Sequence, residues 1–135
     1  MRYLAIDFGT KRTGLAICDP TETITSPLAV IEGQKNLLDK ITEVIKAEKI
    51  QAIVLGLPLN MDDSKGPQAK IVFDFADRLR ERFDIQIHFQ DERLSTFSAE
   101  KKLASAEFTR KRKKKHLDAV AAAQILEDFL ESKNM

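Results

Sequence analysis

The sequence predicts one α/β domain carrying a five-stranded mixed sheet, and three features lead there. Its first third holds three short apolar segments broken by turn residues, with no helical period among them. From Leu37 onward, helical and strand-like segments alternate, as they do where parallel strands are joined by crossover helices. The 135 residues, 43% of them hydrophobic, suffice for one continuous core and contain no repeat, low-complexity tract or linker, so residues 1–135 are expected to fold as a single domain.

Tyr3 to Phe8 is short and almost wholly apolar, the pattern of a central strand buried on both faces. Thr13 to Cys18 follows a Gly-Thr-Lys-Arg connection suited to a hairpin, and Leu28 to Ile31, set off by Pro27 and Gly33, completes an antiparallel meander. Leu37, Ile41, Val44 and Ile45 fall on one side of a first helix, and Ala52 to Leu57 reads as a buried parallel strand. Ile71, Val72, Phe75, Ala76 and Leu79 mark a second helix entered after Pro67; Ile85, Ile87 and Phe89 then alternate with Gln86 and His88 in a fifth strand. Ser95 or Thr96 caps a short helix expected to reach about Ser105, and a last helix from about Leu117 to Leu130 turns Ala121, Ala122, Ile125, Leu126 and Phe129 inward. The order is βββαβαβαα. Right-handed crossovers put the first strand at the centre of the sheet and the later parallel strands on its other side, which is the ribonuclease H-like arrangement.

Composition excludes several classes. A single cysteine, Cys18, rules out a disulfide framework, and no Cys/His spacing suits zinc; at the end of an apolar segment it reads as a small buried hydrophobe. No leader-like segment and no apolar run of membrane-spanning length appear, so a soluble cytoplasmic protein without a membrane partner is expected. The net charge of +1 conceals the unbroken basic run Arg110, Lys111, Arg112, Lys113, Lys114, Lys115. A solvated loop or a nuclear address would also explain such a run, but its place just ahead of an acid on a core-facing stripe favours phosphate binding.

Three acidic positions stand out. Asp7 ends the most apolar strand, where an ionised carboxylate needs a metal, water or cation beside it; as a bland alternative it starts the turn at Gly9. Asp91 and Glu92 end the fifth strand, and alternation lets only one of them share a site with Asp7; Glu92 falls on the side of Gln86 and His88, Asp91 on that of Ile87 and Phe89, and the pattern does not choose. Asp118 shares a helical stripe with Ala122, Ile125 and Phe129, so an acid interrupts a core-facing row, although the helix dipole alone would also favour a first-turn carboxylate. If the sheet order gathers these acids, their repulsion calls for a cation, and hard oxygen donors favour Mg2+ or Mn2+ over zinc. Two such ions about 3.5–4 Å apart would activate water and stabilise a leaving oxygen, which is the chemistry of phosphodiester hydrolysis.

With these residues in view, the chain resembles the YqgF/RuvX family from end to end. The motifs are Asp7-Phe8-Gly9-Thr10-Lys11-Arg12-Thr13-Gly14, Gly56-Leu57-Pro58-Leu59-Asn60, Asp91-Glu92-Arg93-Leu94-Ser95-Thr96 and Asp118-Ala119-Val120-Ala121-Ala122. The resemblance implies that Asp7, Glu92 and Asp118 form the metal-binding catalytic group, selecting Glu92 over Asp91. It also implies processing of the 5′ end of pre-16S ribosomal RNA, with ribosomal precursor particles as partners, or resolution of branched DNA at Holliday junctions. Lys11, Arg12 and Arg93 flank the acids and are candidates to clamp phosphate, with Asn60 and Lys113, Lys114 and Lys115 as further substrate contacts. The stretch Asp62-Asp63-Ser64-Lys65-Gly66-Pro67 is longer and more acidic than the compact turn of the family. His88 reads as structural or solvated and is left outside the site. A symmetric resolvase would need a homodimer, whereas RNA trimming needs only a monomer.

Two other functions fit parts of the sequence. Asp7-Phe8-Gly9-Thr10 on a first hairpin also resembles the phosphate-binding opening of actin-like ATPases, but those usually close two such domains around a nucleotide and this chain supplies one. A non-catalytic nucleic-acid-binding module would use the basic run and ignore metal.

Overall fold

The computed structural model describes residues 1–58, 66–92 and 110–134, and for 110–116 the backbone alone. Five strands, β1 (Tyr3–Asp7), β2 (Arg12–Cys18), β3 (Thr25–Glu32), β4 (Ala52–Leu57) and β5 (Gln86–Asp91), form one sheet in the order β3-β2-β1-β4-β5. The first three pair antiparallel as a meander, while β4 and β5 add in parallel on the other side of β1. Helices α1 (Leu37–Ala47) and α2 (Pro67–Arg82) make the two crossovers, and α3 (Arg110–Lys133) follows β5. This is the mixed sheet the sequence predicts, with β1 at its centre. The short helix expected after Ser95 lies outside the described residues.

Strand alternation divides the core into two layers. Leu4, Ile6, Leu15, Ile53, Leu55 and Leu57 pack with Leu37 and Ile41 of α1 and with Val72, Phe75, Ala76 and Leu79 of α2. On the opposite face Tyr3, Ala5, Ala16, Cys18, Ala52 and Val54 pack with Ala122, Ala123, Ile125, Leu126 and Leu130 of α3. The two layers differ in bulk: branched and aromatic side chains separate α1 and α2 from the sheet, whereas alanines meet alanines under α3. Small side chains on both partners let α3 lie close to the strands. Cys18 is buried there, its Sγ accepting the Tyr3 N–H, as its place in an apolar segment predicts.

Three elements differ from their sequence-based limits. β3 extends from Thr25 rather than Leu28, because pairing with β2 continues through Pro27 across an irregularity at Leu15/Ala16. Pro27 is tolerated because β3 is an edge strand. On α2, Ala69 and not Ile71 completes the buried stripe, and Ile71 is 37% exposed. The largest shift is in α3, which begins at Arg110, so the whole basic run is helical. Lys and Arg are good helix formers, but a run without apolar residues carries no period by which a helix start can be read.

Candidate active site

Asp7 is the last residue of β1 and shares its face with Tyr3 and Ala5, the α3 side of the sheet. By the same alternation Gly56 of β4 lies on the side of Ala52 and Val54. Glu92, one residue past β5, lies on the side of His88, whose ring packs against Phe129 of α3. Asp91 points toward the other layer, where Phe89 packs. The parity of the strands therefore brings Glu92, and not Asp91, to Asp7. The backbone continues the sheet to this point, since the Glu92 N–H donates to Leu57 O at 3.3 Å.

Two glycines make the room. A Cβ on Gly56 would fall 2.4 Å from Glu92 Oε2 and 2.6 Å from Ile125 Cδ1, so the missing side chain is the space the carboxylate occupies. A Cβ on Gly14 would fall 2.0 Å from the carbonyl oxygen of Asp118, and Gly14 is the register partner of Asp7. The backbone of α3 thus rests directly on β2 at the level of Asp7. The two glycines bring Glu92 and Asp118 in from either side of β1. A glycine inside a strand signals such close approach. Hydrophobic pattern alone passes over both positions, although each carries that signal.

The electrostatics follow from this crowding. Burial pushes the Asp7 carboxyl up to about 8, helped by the charges of Glu92 and Asp118, and Asp7 shares a hydrogen bond with Glu92. Burial also raises Glu92, with Asp91 adding to the rise and the bond to Asp7 opposing it. Two half-buried carboxyls in contact keep a proton between them unless a cation replaces it. Asp118 is directed elsewhere: its Oδ2 accepts from Arg12 Nε at 2.8 Å, with the two side chains 26% and 35% exposed. Consistent with that, no group of three or more His, Cys, Asp or Glu side chains among the described residues already stands as a metal cage.

Of the other candidates, Lys11 is exposed in the β1–β2 turn, and Arg12 opens β2. Asn60 and Arg93 lie outside the described residues. Lys113, Lys114 and Lys115 occupy the opening of α3, within five positions of Asp118 on the same helix. Among the described residues no helix is long and apolar enough to cross a membrane.

A protein of Roseiflexus sp. (strain RS-1) named "Putative pre-16S rRNA nuclease" is 41% identical over 133 residues, 97% of this chain and 94% of its own. One of the same name from Maridesulfovibrio salexigens is 42% identical over 132 residues, 96% of this chain and 98% of its own. Among solved structures, the fold matches Fowlpox virus resolvase in complex with Holliday junction DNA at TM-score 0.59 and 15% identity, covering all of both chains. It matches T. thermophilus RuvC with a Holliday junction substrate at TM-score 0.60 and 12% identity, over 98% of this chain and 96% of that one. These likenesses are of fold: both neighbours share the ribonuclease H-like sheet. The family model described as "RuvX: Holliday junction resolvase" matches residues 1–132, and the chain belongs to that family.

Proposed function

We propose that this chain is a metal-dependent nuclease that hydrolyses phosphodiester bonds, with Asp7, Glu92 and Asp118 as its metal-binding catalytic group and 5′-end processing of pre-16S rRNA as its role. The observation that carries it is the contact between two half-buried carboxyls, Asp7 and Glu92, with Asp118 close enough to raise Asp7 further. Asp118 pairs with the Arg12 cation as a structural carboxylate does, whereas Asp7 and Glu92 are set against each other. An all-oxygen donor set of this kind fits Mg2+ or Mn2+ and not a soft metal. When bound, one or two such ions supply a low-pKa water and neutralise charge on the phosphate and the leaving oxygen. The chain's own part is positional: the rigid ends of β1 and β5 hold Asp7 and Glu92, and Gly14 seats Asp118 opposite them.

The basic run supports the same reading. Six cationic residues at the N-terminal end of α3 oppose the helix dipole, and no acid stands in its first turn. A phosphate backbone at that end would relieve the helix N–H groups and the cations together. Arg12, bonded to Asp118, would stand beside a phosphate held at the acids.

A second substrate has its own support, since the family model is described as a Holliday junction resolvase and two fold neighbours were solved on junction DNA. Cleavage of a pre-16S rRNA fragment and of a four-way DNA junction, assayed side by side with Mg2+, Mn2+ or EDTA, separates the two. Asp7→Asn is expected to abolish metal-dependent cleavage while leaving the fold intact. Cleavage preserved in that variant, or unaffected by EDTA, would overturn the assignment.

A further inference from the structure

Helix α3 packs mainly on β2, β3 and β1 and only sparsely on β4 and β5. Among the described residues, part of β5, an edge strand, is therefore left uncovered beside the last turns of α3. A cleft of about 390 Å³ lies there, with Tyr3, His88 and Gln90 on the sheet side and Phe129, Ser132 and Lys133 on the helix side. Three rings meet in it: Tyr3 and Phe129 at 5.2 Å between centroids, His88 and Phe129 at 5.0 Å, and Tyr3 and His88 at 6.1 Å, all tilted rather than stacked. Lys133 Nζ sits 5.4 Å from the Tyr3 ring and is held by Glu22 at 2.6 Å.

We propose that this cleft is a base-binding subsite that takes an unpaired nucleobase from the strand entering the acidic site, an inference that rests on the nuclease reading above. Tyr3 is buried, with Lys133 over its ring, whereas His88 and Phe129 are each partly exposed, so a flat heterocycle can stack on His88 or Phe129 from the open side of the cleft. Gln90 adds a side-chain amide with both donor and acceptor for a base edge, and Lys133 brings positive charge to the helix wall. The cleft lies on the same side of the sheet as the acids: His88, Gln90 and Glu92 share one side of β5 and its end by strand alternation, so His88 lies about 13 Å along the strand from Glu92. The base it takes thus belongs to a nucleotide a few positions from the scissile phosphate. Bases within an intact duplex stay paired and stacked and are shut out, so the subsite favours strands with unpaired residues.

The test is affinity in EDTA, which withholds the metal, for a single-stranded oligonucleotide and for a blunt duplex of equal length. His88→Ala is expected to weaken single-strand binding by roughly five- to 150-fold, since stacking of one base on a side chain is worth about 1–3 kcal/mol. Duplex binding should change little, and His88→Phe should restore most of the affinity. Independently of any variant, ultraviolet crosslinking of the unaltered protein to a 4-thiouridine oligonucleotide should mark His88, Gln90 or Phe129. Equal weakening on both nucleic acids, or crosslinks confined to other surfaces while cleavage persists, would overturn the subsite alone. A protein that binds neither nucleic acid would overturn the nuclease reading with it.

Discussion

Gly14 and Asp118 touch through their backbones: the Cβ that Gly14 lacks would lie 2.0 Å from the Asp118 carbonyl oxygen. The position of an acid on the last helix is thereby set by the absence of a side chain on the second strand. Gly14→Ala must push α3 away from β2, at a cost of about 1–3 kcal/mol as overpacking of a tight core commonly brings. Gly56→Ala acts on the other acid, since its methyl would occupy the place of Glu92 Oε2. Thermal denaturation and metal titration together check both: each variant should be less stable and should bind Mn2+ more weakly, with the Gly14 variant the less stable of the two.

The raised Asp7 carboxyl fixes how stability varies with pH. Below about 3.8 it is protonated in both folded and unfolded chains and contributes no difference. Between there and about 8 the unfolded chain gives up this proton while the folded chain keeps it, so stability falls as pH rises and the full cost is present above about 8. Asp7→Asn should therefore raise the metal-free melting temperature by a few degrees at pH 8 and by less at pH 5. A divalent cation should stabilise the parent protein and have little effect on this variant. A uniform shift at both pH values would show that the Asp7 charge is not what destabilises the fold.

If Asp118 binds metal as proposed, Arg12 and the cation compete for its carboxylate. Arg12→Gln frees that carboxylate, and Mn2+ should bind the variant as tightly as the parent or more so. Affinity for nucleic acid should fall, because the guanidinium beside the acids is removed. Isothermal titration with metal and with oligonucleotide separates the two effects; weaker binding of both would mean that Arg12 chiefly orients Asp118.

The basic opening of α3 is tested by salt. Replacing Lys113, Lys114 and Lys115 with Gln should lower affinity and flatten its dependence on log salt by about 0.7–0.9 for each phosphate that is no longer neutralised. The parent slope, unchanged, would make these lysines bystanders. Helicity by circular dichroism should hold in either case, since Gln and Lys have similar helix propensities.

Much of the fold is legible in the residues. The switch of period at Leu37, the doubly buried β1 and the order of the strands all follow from hydrophobic pattern. The choice between Asp91 and Glu92 does not, for a definite reason. Because β1 is apolar on both sides, its alternation gives no clue to which face Asp7 shares; that depends on α3 seating over Tyr3 and Ala5 rather than over Leu4 and Ile6. The start of α3 is hidden by its charge, and the pairing of Arg12 with Asp118 joins residues too distant in sequence for any local pattern to link them.

The three acids come from the first strand, the end of the fifth and the last helix, and no two of them are neighbours in the chain. A chain with its meander formed but α3 not yet seated on Gly14 carries Asp7 without Asp118. If the three acids act together as proposed, competence to cut requires α3 docked on Gly14, and a half-folded molecule is not a half-active one. For a protein that acts on nucleic acid, this ties the power to damage a strand to completion of the fold.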